Sequence, residues 1–561
     1  MPSGADILIE CLRRAGVRQV FAYPGGTSLL IHQALVGSGI RVVLPRHEQG
    51  GAFEAAGFAR RTGTPGVCIA TSGPGATNLL TGIADAWMDS TPLVAITAQV
   101  NQHIIGKNAF QETDIVGMTR PIVKHSFLIF TPEEIPETMM DAFALASNGR
   151  PGPVVVDIPC DVLASIAEPT YSTEPNLRAL CLPPEISDTQ LSIFLKALKS
   201  SRKPCIYAGG GIIHSGASAE LMRFAETWRI PVATSLMGIG AFPSSHPLSL
   251  SWLGMHGAYG ANKAVEECDL LIGIGVRFSE RVTGDVAGFA PHAKIVHIDI
   301  DDSEINKNKR ADIALVGDSR DILLRVLEHR PYTKRRDQWL AQVAEWKRQH
   351  LFNIPKAMAD RLHGQAVVKA LDDLTGGNAT VVTGVGQNQM WAAQFYSYSR
   401  PRQFITSGGL GAMGFGLPAA IGAQIAMPDE LVLLIDGDGS FQMNIQELAT
   451  VYAENLPLKM VILNNQRLGM VAQLEDKFYN GIHGNTDLEV PAAHGQYPDF
   501  VAIANGYNIP GRNVMHASEL KAAIQEMLKI QGPFLLNCLI DREDEAMPMI
   551  PPGMHCGDAL F

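Results

Sequence analysis

A chain of 561 residues with 46% hydrophobic and 18% charged side chains is too long for one core and ordinary for a globular protein with large buried sheets. Its net charge of −11, from 45 basic and 56 acidic residues without a long like-charge block, argues against nucleic acid or an anionic membrane as a main partner. No apolar run approaches the ~18 residues that span a bilayer, and the eight cysteines (11, 68, 160, 181, 205, 268, 538, 556) lack any C-x-x-C, a reducing-compartment pattern.

The chain opens "MPSGADILIECLRRAGV", which predicts a capped amphipathic helix and not a signal peptide, so a cytoplasmic protein is expected. Short apolar strands then alternate with helical segments: "GVCIAT" (66–71), "LVAIT" (93–97), "PVVVDIP" (153–159), "PCIYAG" (204–209), "LLIGIG" (270–275), "IVHIDI" (295–300), "LVLLID" (431–436) and "KMVILNN" (459–465). That rhythm predicts an α/β protein with parallel, doubly wound sheets. Two stretches break it, the Pro/Ser/Thr-rich 166–190 and the charged, helix-prone 329–362. Read as linkers, they leave three domains: 1–165, 186–330 and 363–545.

The stretch "LVLLIDGDGSFQMN" (431–444) ends a strand in two aspartates. Alone, D-G-D-G is a turn. Here the 24 residues after Gly439 (440–463) end in a second strand, "MVIL", followed by Asn464-Asn465. Adjacent parallel strands would bring Asp438 and Asn465 to one carboxyl edge, where open sheets bind ligands. With the main-chain carbonyl of Arg467, these oxygens suit a hard octahedral cation such as Mg2+, which retains phosphate ligands, so a diphosphate is implied. Gly437 and Gly439 let the backbone approach it. "GGLGAMGFG" (408–416) also fits G-x-G-x-x-G, with Asp436 22 residues after Gly414. A nicotinamide reading is disfavoured, because that acid belongs to the turn already assigned to metal.

With G-D-G and N-N in place, the chain resembles the thiamine-diphosphate-dependent enzymes, and more closely the acetohydroxyacid (acetolactate) synthase catalytic subunits. The motifs are "VFAYPGGTSL" (20–29), "RHEQGGAFEAAGFAR" (46–60), "TSGPGATNLLTGIADAWMDSTPLV" (71–94), "GKNAFQETDIVGMTRPIVKH" (106–125), "RPGPVVVDIP" (150–159), "LGMHG" (253–257), "VRFSERVTG" (276–284), "TGVGQNQMWAAQ" (383–394) and "TSGGLGAMGFGLPAAIGAQ" (406–424). The resemblance implies pyrimidine-binding, central and diphosphate-binding domains, and cofactors thiamine diphosphate, Mg2+ and FAD. It implies decarboxylation of pyruvate and condensation of the two-carbon unit with a second 2-keto acid, in branched-chain amino acid biosynthesis. It implies a homodimer or homotetramer, each cofactor lying between the first domain of one subunit and the third of the other, with a small regulatory subunit as a further partner.

Carried over by position, Glu48 would be the carboxyl that holds the cofactor's pyrimidine ring nitrogen, with Phe110 and Gln111 facing substrate. Tyr23, Pro24, Gly25, Pro74 and Asn78 would surround the pyrimidine. Val385, Gly386, Gln387, Asn388, Gly439, Ser440 and Met470 would line the diphosphate site, and Met413 would press beneath the thiazolium. Gly210, Gly211, Met255, His256, Arg277, Arg281, Asp299 and Asp318 match the FAD positions, arginines suiting a diphosphate and an acid at a strand end a ribose.

Four positions depart from the family pattern: Cys160 in "PCDV" where lysine is usual, Asn388 in "GQNQ" where histidine is, Asn101 in "AQVN" where proline is, and Leu474 in "GMVAQLEDKFY" where tryptophan is. Losing the indole at 474 should open the acceptor pocket and favour pyruvate over 2-ketobutyrate, since one methylene there is worth ~1–3 kcal/mol. The rival on the same scaffold is another 2-keto acid decarboxylase, oxidase or carboligase. A catalytically silent homologue would show erosion at Glu48, Asp438 or Asn465, and none is eroded.

Overall fold

The computed structural model describes residues 1–176, 185–329, 336–355, 360–489 and 497–561. Its apolar runs form three six-stranded sheets in which every pairing between strands is parallel. The first holds β1 (Gln19–Ala22), β2 (Arg41–Val43), β3 (Gly66–Ala70), β4 (Leu93–Gln99), β5 (His125–Leu128) and β6 (Pro153–Pro159), in the order β2-β1-β3-β4-β6-β5. The second holds β7 (Pro204–Ala208), β8 (Val232–Thr234), β9 (Ser249–Trp252), β10 (Leu270–Ile274), β11 (Lys294–Asp299) and β12 (Ile313–Val316), in the order β12-β11-β10-β7-β8-β9. The third holds β13 (Thr380–Thr383), β14 (Phe404–Ile405), β15 (Val432–Gly437), β16 (Lys459–Asn464), β17 (Gly511–Val514) and β18 (Phe534–Leu539), in the order β14-β13-β15-β16-β18-β17. Central strands are buried along their whole length, as sheets covered by helices on both faces require.

Two consequences of strand order position the sites. The first and third sheets repeat one order, and in each the chain reverses direction between its first and third strands (β1/β3 and β13/β15). The middle sheet, numbered within itself, reads 3-2-1-4-5-6, the dinucleotide-binding order, with its switch point between β7 and β10. Gly209 follows β7 and Gly275 follows β10, and the two loops touch so closely that a Cβ on Gly209 would overlap the Gly275 carbonyl.

The opening helix, Gly4–Arg14, has the expected N-cap: Ser3 and Asp6 form a reciprocal capping box. The second stretch read as a linker is more than that. It carries the helix Asp337–Arg348, whose Trp339 is buried in the middle unit and donates its indole N–H to the Pro204 carbonyl at 2.9 Å. The charged pattern belongs to its outer face, and one buried tryptophan fixes the inner one. Among the described residues no helix is long and apolar enough to cross a membrane.

The first and third units join through the helices Glu48–Thr62 and Gly416–Ala426. Small residues line both (Gly50, Gly57 and Ala59 on one, Ala419, Gly422 and Ala423 on the other), so the backbones meet directly. A Cβ on Gly57 would overlap the Ala419 carbonyl, and one on Gly422 the Glu54 carbonyl. Glu54 is wholly buried at this seam beside Glu447. Burial first, and the neighbouring Glu447 second, push its carboxyl well above the ordinary range. Glu447 accepts the Arg46 N–H at 2.9 and 3.1 Å and the Thr450 hydroxyl at 2.7 Å. The acid pair therefore braces the turn that leads into Glu48.

Two outcomes follow from this seam. Gly422→Ala should destabilise the protein by ~1–3 kcal/mol in chemical denaturation, whereas Gly532→Ala, with open space around it, should stay within about 0.5 kcal/mol. Because Glu54 has a raised folded pKa, its contribution to stability is full below the unfolded range of about 4.3 and is lost as pH rises through the folded value. Glu54→Gln should therefore flatten the fall in denaturation midpoint as pH rises from about 4.3 toward the raised folded value; an unchanged slope would contradict a raised Glu54 pKa.

Candidate active site

At the carboxyl edge of the third sheet, β15 and β16 run in register with Gly437 opposite Leu463. Asp438 and the Asn464-Asn465 pair therefore leave the sheet side by side. Asp438 is buried, takes the Gly439 N–H at 3.0 Å, and faces the backbone N–H groups of Gln466 and Arg467. Asn465 accepts the Arg467 N–H on Oδ1 at 3.1 Å, and Gln387 accepts from its Nδ2 at 3.3 Å, which fixes which way the amide points. Burial pushes the Asp438 carboxyl up to about 7, a cost that a bound cation would remove. One carboxylate, one amide oxygen and a main-chain carbonyl are the donors a hard divalent ion takes.

These residues open onto a cleft of about 440 Å³ lined by Val385, Gly386, Gln387, Asn388, Met413, Gly437, Gly439, Ser440 and Met470, together with Asp438, Asn465 and Arg467. All twelve positions expected on sequence grounds for diphosphate, thiazolium and metal are thus gathered in one place. Gly386 lies at φ +149°, a backbone state that suits glycine, and its carbonyl begins the helix Gln387–Phe395. A diphosphate and a cation fit this cradle: glycine backbone on one wall, a helix N-terminus on another.

Several side chains play parts the sequence did not announce. Asp436, the first acid of the turn, is fully buried under Gly384 and Gly416, where a Cβ on either glycine would strike its carboxylate. It accepts the Gly437 N–H at 2.9 Å, and burial pushes it up to about 7. The Ser440 hydroxyl ties loops together, accepting N–H groups of Val385 at 3.4 Å and Gly414 at 3.2 Å. Asn388, in the place of the usual histidine, spends one amide hydrogen on the Ile435 carbonyl at 3.1 Å. Gln387 also donates to the Asp544 carbonyl at 2.7 Å, and Asp544 in turn pairs with His363 at 2.7 Å. Leu468 and Trp391 also line the cleft; Trp391 lies within the motif "TGVGQNQMWAAQ" (383–394), whereas an apolar residue such as Leu468 carries no signal by itself.

A second cluster forms at the carboxyl edge of the first sheet. Glu48 opens the helix Glu48–Thr62, with His47 as its N-cap, and accepts from Asn78 Nδ2 at 3.0 Å. Its other oxygen lies against Gly75, the residue after Pro74, where a Cβ would sit 3.2 Å away. Tyr23 and Pro24 follow β1, and Gly25 packs so tightly on Thr71 that a Cβ there would overlap it. Thr27 bonds Thr71 at 2.8 Å and the Ser72 N–H at 2.9 Å, a hydroxyl ladder that sequence reasoning missed although "TSG" after a strand signals it. Gln111, at φ +59°, backs onto Gly73, and Phe110 beside it stands 88% exposed. None of these residues lines the 440 Å³ cleft, whose walls run from Val385 to Val471.

In the middle unit, Gly210 and Gly211 start the short helix Gly210–His214 at the sheet's switch point. Met255 takes its position from an N–H donated to the Arg281 carbonyl at 2.9 Å, and both residues line a cavity of about 490 Å³ walled on one side by Ile550, Pro551, Pro552 and Met554. His256 is buried and donates to the Pro548 carbonyl at 3.1 Å, with burial holding its imidazole down to about 4. Arg277 follows β10, and Asp299 ends β11, accepting the Asp301 N–H at 3.0 Å. Asp318 caps the helix Ser319–Leu327, accepting from Arg320 at 2.8 Å and Asp321 at 3.3 Å. The strand order, the glycine contact and the two arginines fit a dinucleotide; Asp318 already has structural work.

Comparison with known proteins agrees with this geometry. Family models of thiamine pyrophosphate enzymes match in three successive stretches: the N-terminal TPP binding domain over residues 2–118, the central domain over 191–326 and the C-terminal TPP binding domain over 384–538. Acetolactate synthase 1, chloroplastic, of Nicotiana tabacum is 50% identical over 99% of this chain and 84% of its own length. Acetolactate synthase, chloroplastic, of Arabidopsis thaliana is 50% identical over the same shares. Acetolactate synthase 2, chloroplastic, of Zea mays is 51% identical over 100% of this chain and 88% of its own. With such identity along its whole length and both cofactor-edge clusters in place, the chain belongs to the acetolactate synthase family of thiamine pyrophosphate enzymes.

Proposed function

We propose that this protein is an acetolactate synthase that decarboxylates pyruvate and joins the two-carbon unit to a second 2-keto acid, pyruvate favoured, as a step of branched-chain amino acid biosynthesis. The observation that carries it is the convergence of Asp438, Asn465 and Arg467 on a cleft that Met413 and Met470 also line. Thiamine diphosphate, when bound, supplies a carbon acid and the electron sink that keto-acid decarboxylation needs. Asp438, Asn465 and the Arg467 carbonyl would hold Mg2+ against its diphosphate, and Met413 would set its bend. Glu48 would hydrogen-bond the pyrimidine ring nitrogen, with Asn78 donating to one of its oxygens at 3.0 Å and leaving the other for the ring.

That Glu48, Asn78 and the exposed Phe110 lie outside the cleft of their own chain supports a working site shared by two chains, the first unit of one facing the third of its partner in a homodimer or a homotetramer. A small regulatory subunit remains part of this reading as a further partner, as does FAD at the middle sheet's switch point. Cys11, Cys68, Cys205, Cys268 and Cys538 are buried and in no disulfide, which suits a reducing compartment such as the cytoplasm. Purified protein given pyruvate, thiamine diphosphate and magnesium, with and without FAD, should form acetolactate; acetaldehyde, acetate or acetyl phosphate as main product would favour the decarboxylase or oxidase alternative.

Glu48→Gln should slow carbon dioxide release by about 10²–10⁴-fold with thiamine diphosphate binding retained. Leu474 lies half-buried on the helix Gly469–Phe478. With equal pyruvate and 2-ketobutyrate, the wild type should make no strong excess of acetohydroxybutyrate, and Leu474→Trp should shift the product ratio toward it by about 10-fold. An unchanged ratio would remove Leu474 from the acceptor pocket.

A further inference from the structure

Behind the loop that ends in Met413 lies an ionic cluster contributed by the first unit. Arg60, Asp85 and Asp89 are all buried. Arg60 pairs with Asp85 at 2.5 Å and with Asp89 at 3.0 Å, and its guanidinium lies 4.7 Å over the Phe415 ring. Two carboxylates against one guanidinium leave an excess negative charge in a dry place, which ordinarily costs more than it returns.

The loop 406–412 supplies the missing donors. Ser407 gives its hydroxyl to Asp85 at 2.5 Å, while the successive N–H groups of Gly408 and Gly409 go to the two oxygens of Asp89 at 2.9 and 2.7 Å. Arg60 in return donates to the Thr406 carbonyl. Ser407 Oγ also accepts the Ala412 N–H at 2.8 Å, one residue before Met413. Aiming two adjacent N–H groups at one carboxylate narrows the loop to few conformations, and a Cβ on Gly409 would sit 2.7 Å from Asp89 Oδ1. From the middle unit, His214 bonds the Asp89 backbone, and Met237 packs on Gly408.

We propose that Arg60, Asp85 and Asp89 are positioning residues for the reaction, locking the loop 406–412 so that Met413 projects into the cleft at a fixed depth. This rests on the reading of Met413 as the brace beneath the cofactor. A charge cluster kept for stability alone would not need to spend both aspartates on one loop; a cluster kept to hold a side chain in one place would.

The test uses Asp89→Asn, Met413→Ala and the double variant in the full-length protein. Asp89→Asn should lower kcat by about 10–100-fold with the pyruvate KM within about twofold, and should speed amide hydrogen exchange at Gly408 and Gly409 in the cofactor-free protein. In the Met413→Ala background Asp89→Asn should cost little further, since both act through one side chain. Should Asp89→Asn fail to fold, Ser407→Ala removes a single bridge and should show the same pattern more weakly. Additive losses, a rise in KM with kcat unchanged, or unaltered exchange at the two glycines would each overturn the proposal. Full activity of Met413→Ala would instead overturn the placing of Met413 on which it rests, while faster exchange in Asp89→Asn would still show the clamp.

Discussion

A carboxylate buried at the tip of a strand, with backbone N–H groups around it, is the constraint on which the third unit is organised. Asp438 must be compensated, and the register of β15 against β16 delivers the compensation by bringing the Asn465 loop alongside. Everything nearby serves that meeting. Asp436 anchors the turn from below, Gly384 and Gly416 make room for it, and Gln387 fixes the Asn465 amide. Residues that would touch no ligand are therefore held to the same geometry as those that would.

The first unit obeys the same geometry for a different purpose. Its sheet has the strand order of the third, and its loops after β1, β2 and β3 meet around Glu48. The helix that begins at Glu48 then runs along the third unit, backbone against backbone, and reaches the Met413 loop through Arg60. Twelve residues of helix are about 18 Å long. One rigid rod thus presents an acid at its first turn and steadies the wall of its own chain's cleft near its last.

The long buried strands were legible because an apolar run bounded by glycine or proline has few other readings; β3, β4, β6 and β7 read directly. Strands such as β2 (Arg41–Val43) and β8 (Val232–Thr234) were not, being too short to show a period. Strand order was hidden as well, since it is decided by how crossovers pack and not by local pattern. The meeting of Asp438 and Asn465 at one sheet edge was readable from spacing, and the cleft residues came with the family motifs. What no motif disclosed was the wiring across the chain: the Glu54–Glu447 pair and the Asp544–His363 support join residues distant in sequence, and only the ladder at Thr27 had a local signal, in "TSG". The helix at Asp337–Arg348 hid in the same way, because its polar majority outweighed the two tryptophans that pack edge to face along it.

The proposed division of the site between two chains is tested most directly by mixing variants. Glu48→Ala and Asp438→Ala chains, each inactive as a homodimer, would be unfolded or dissociated and reassembled together, and acetolactate formation measured. If acid and cation come from different chains, each mixed dimer holds one site with both defects and one with neither, and activity should return to roughly a quarter of the wild-type level in a random mixture. Mixtures that stay as inactive as their parents, although mixed dimers form, would show that Glu48 and Asp438 serve one coenzyme from within a single chain.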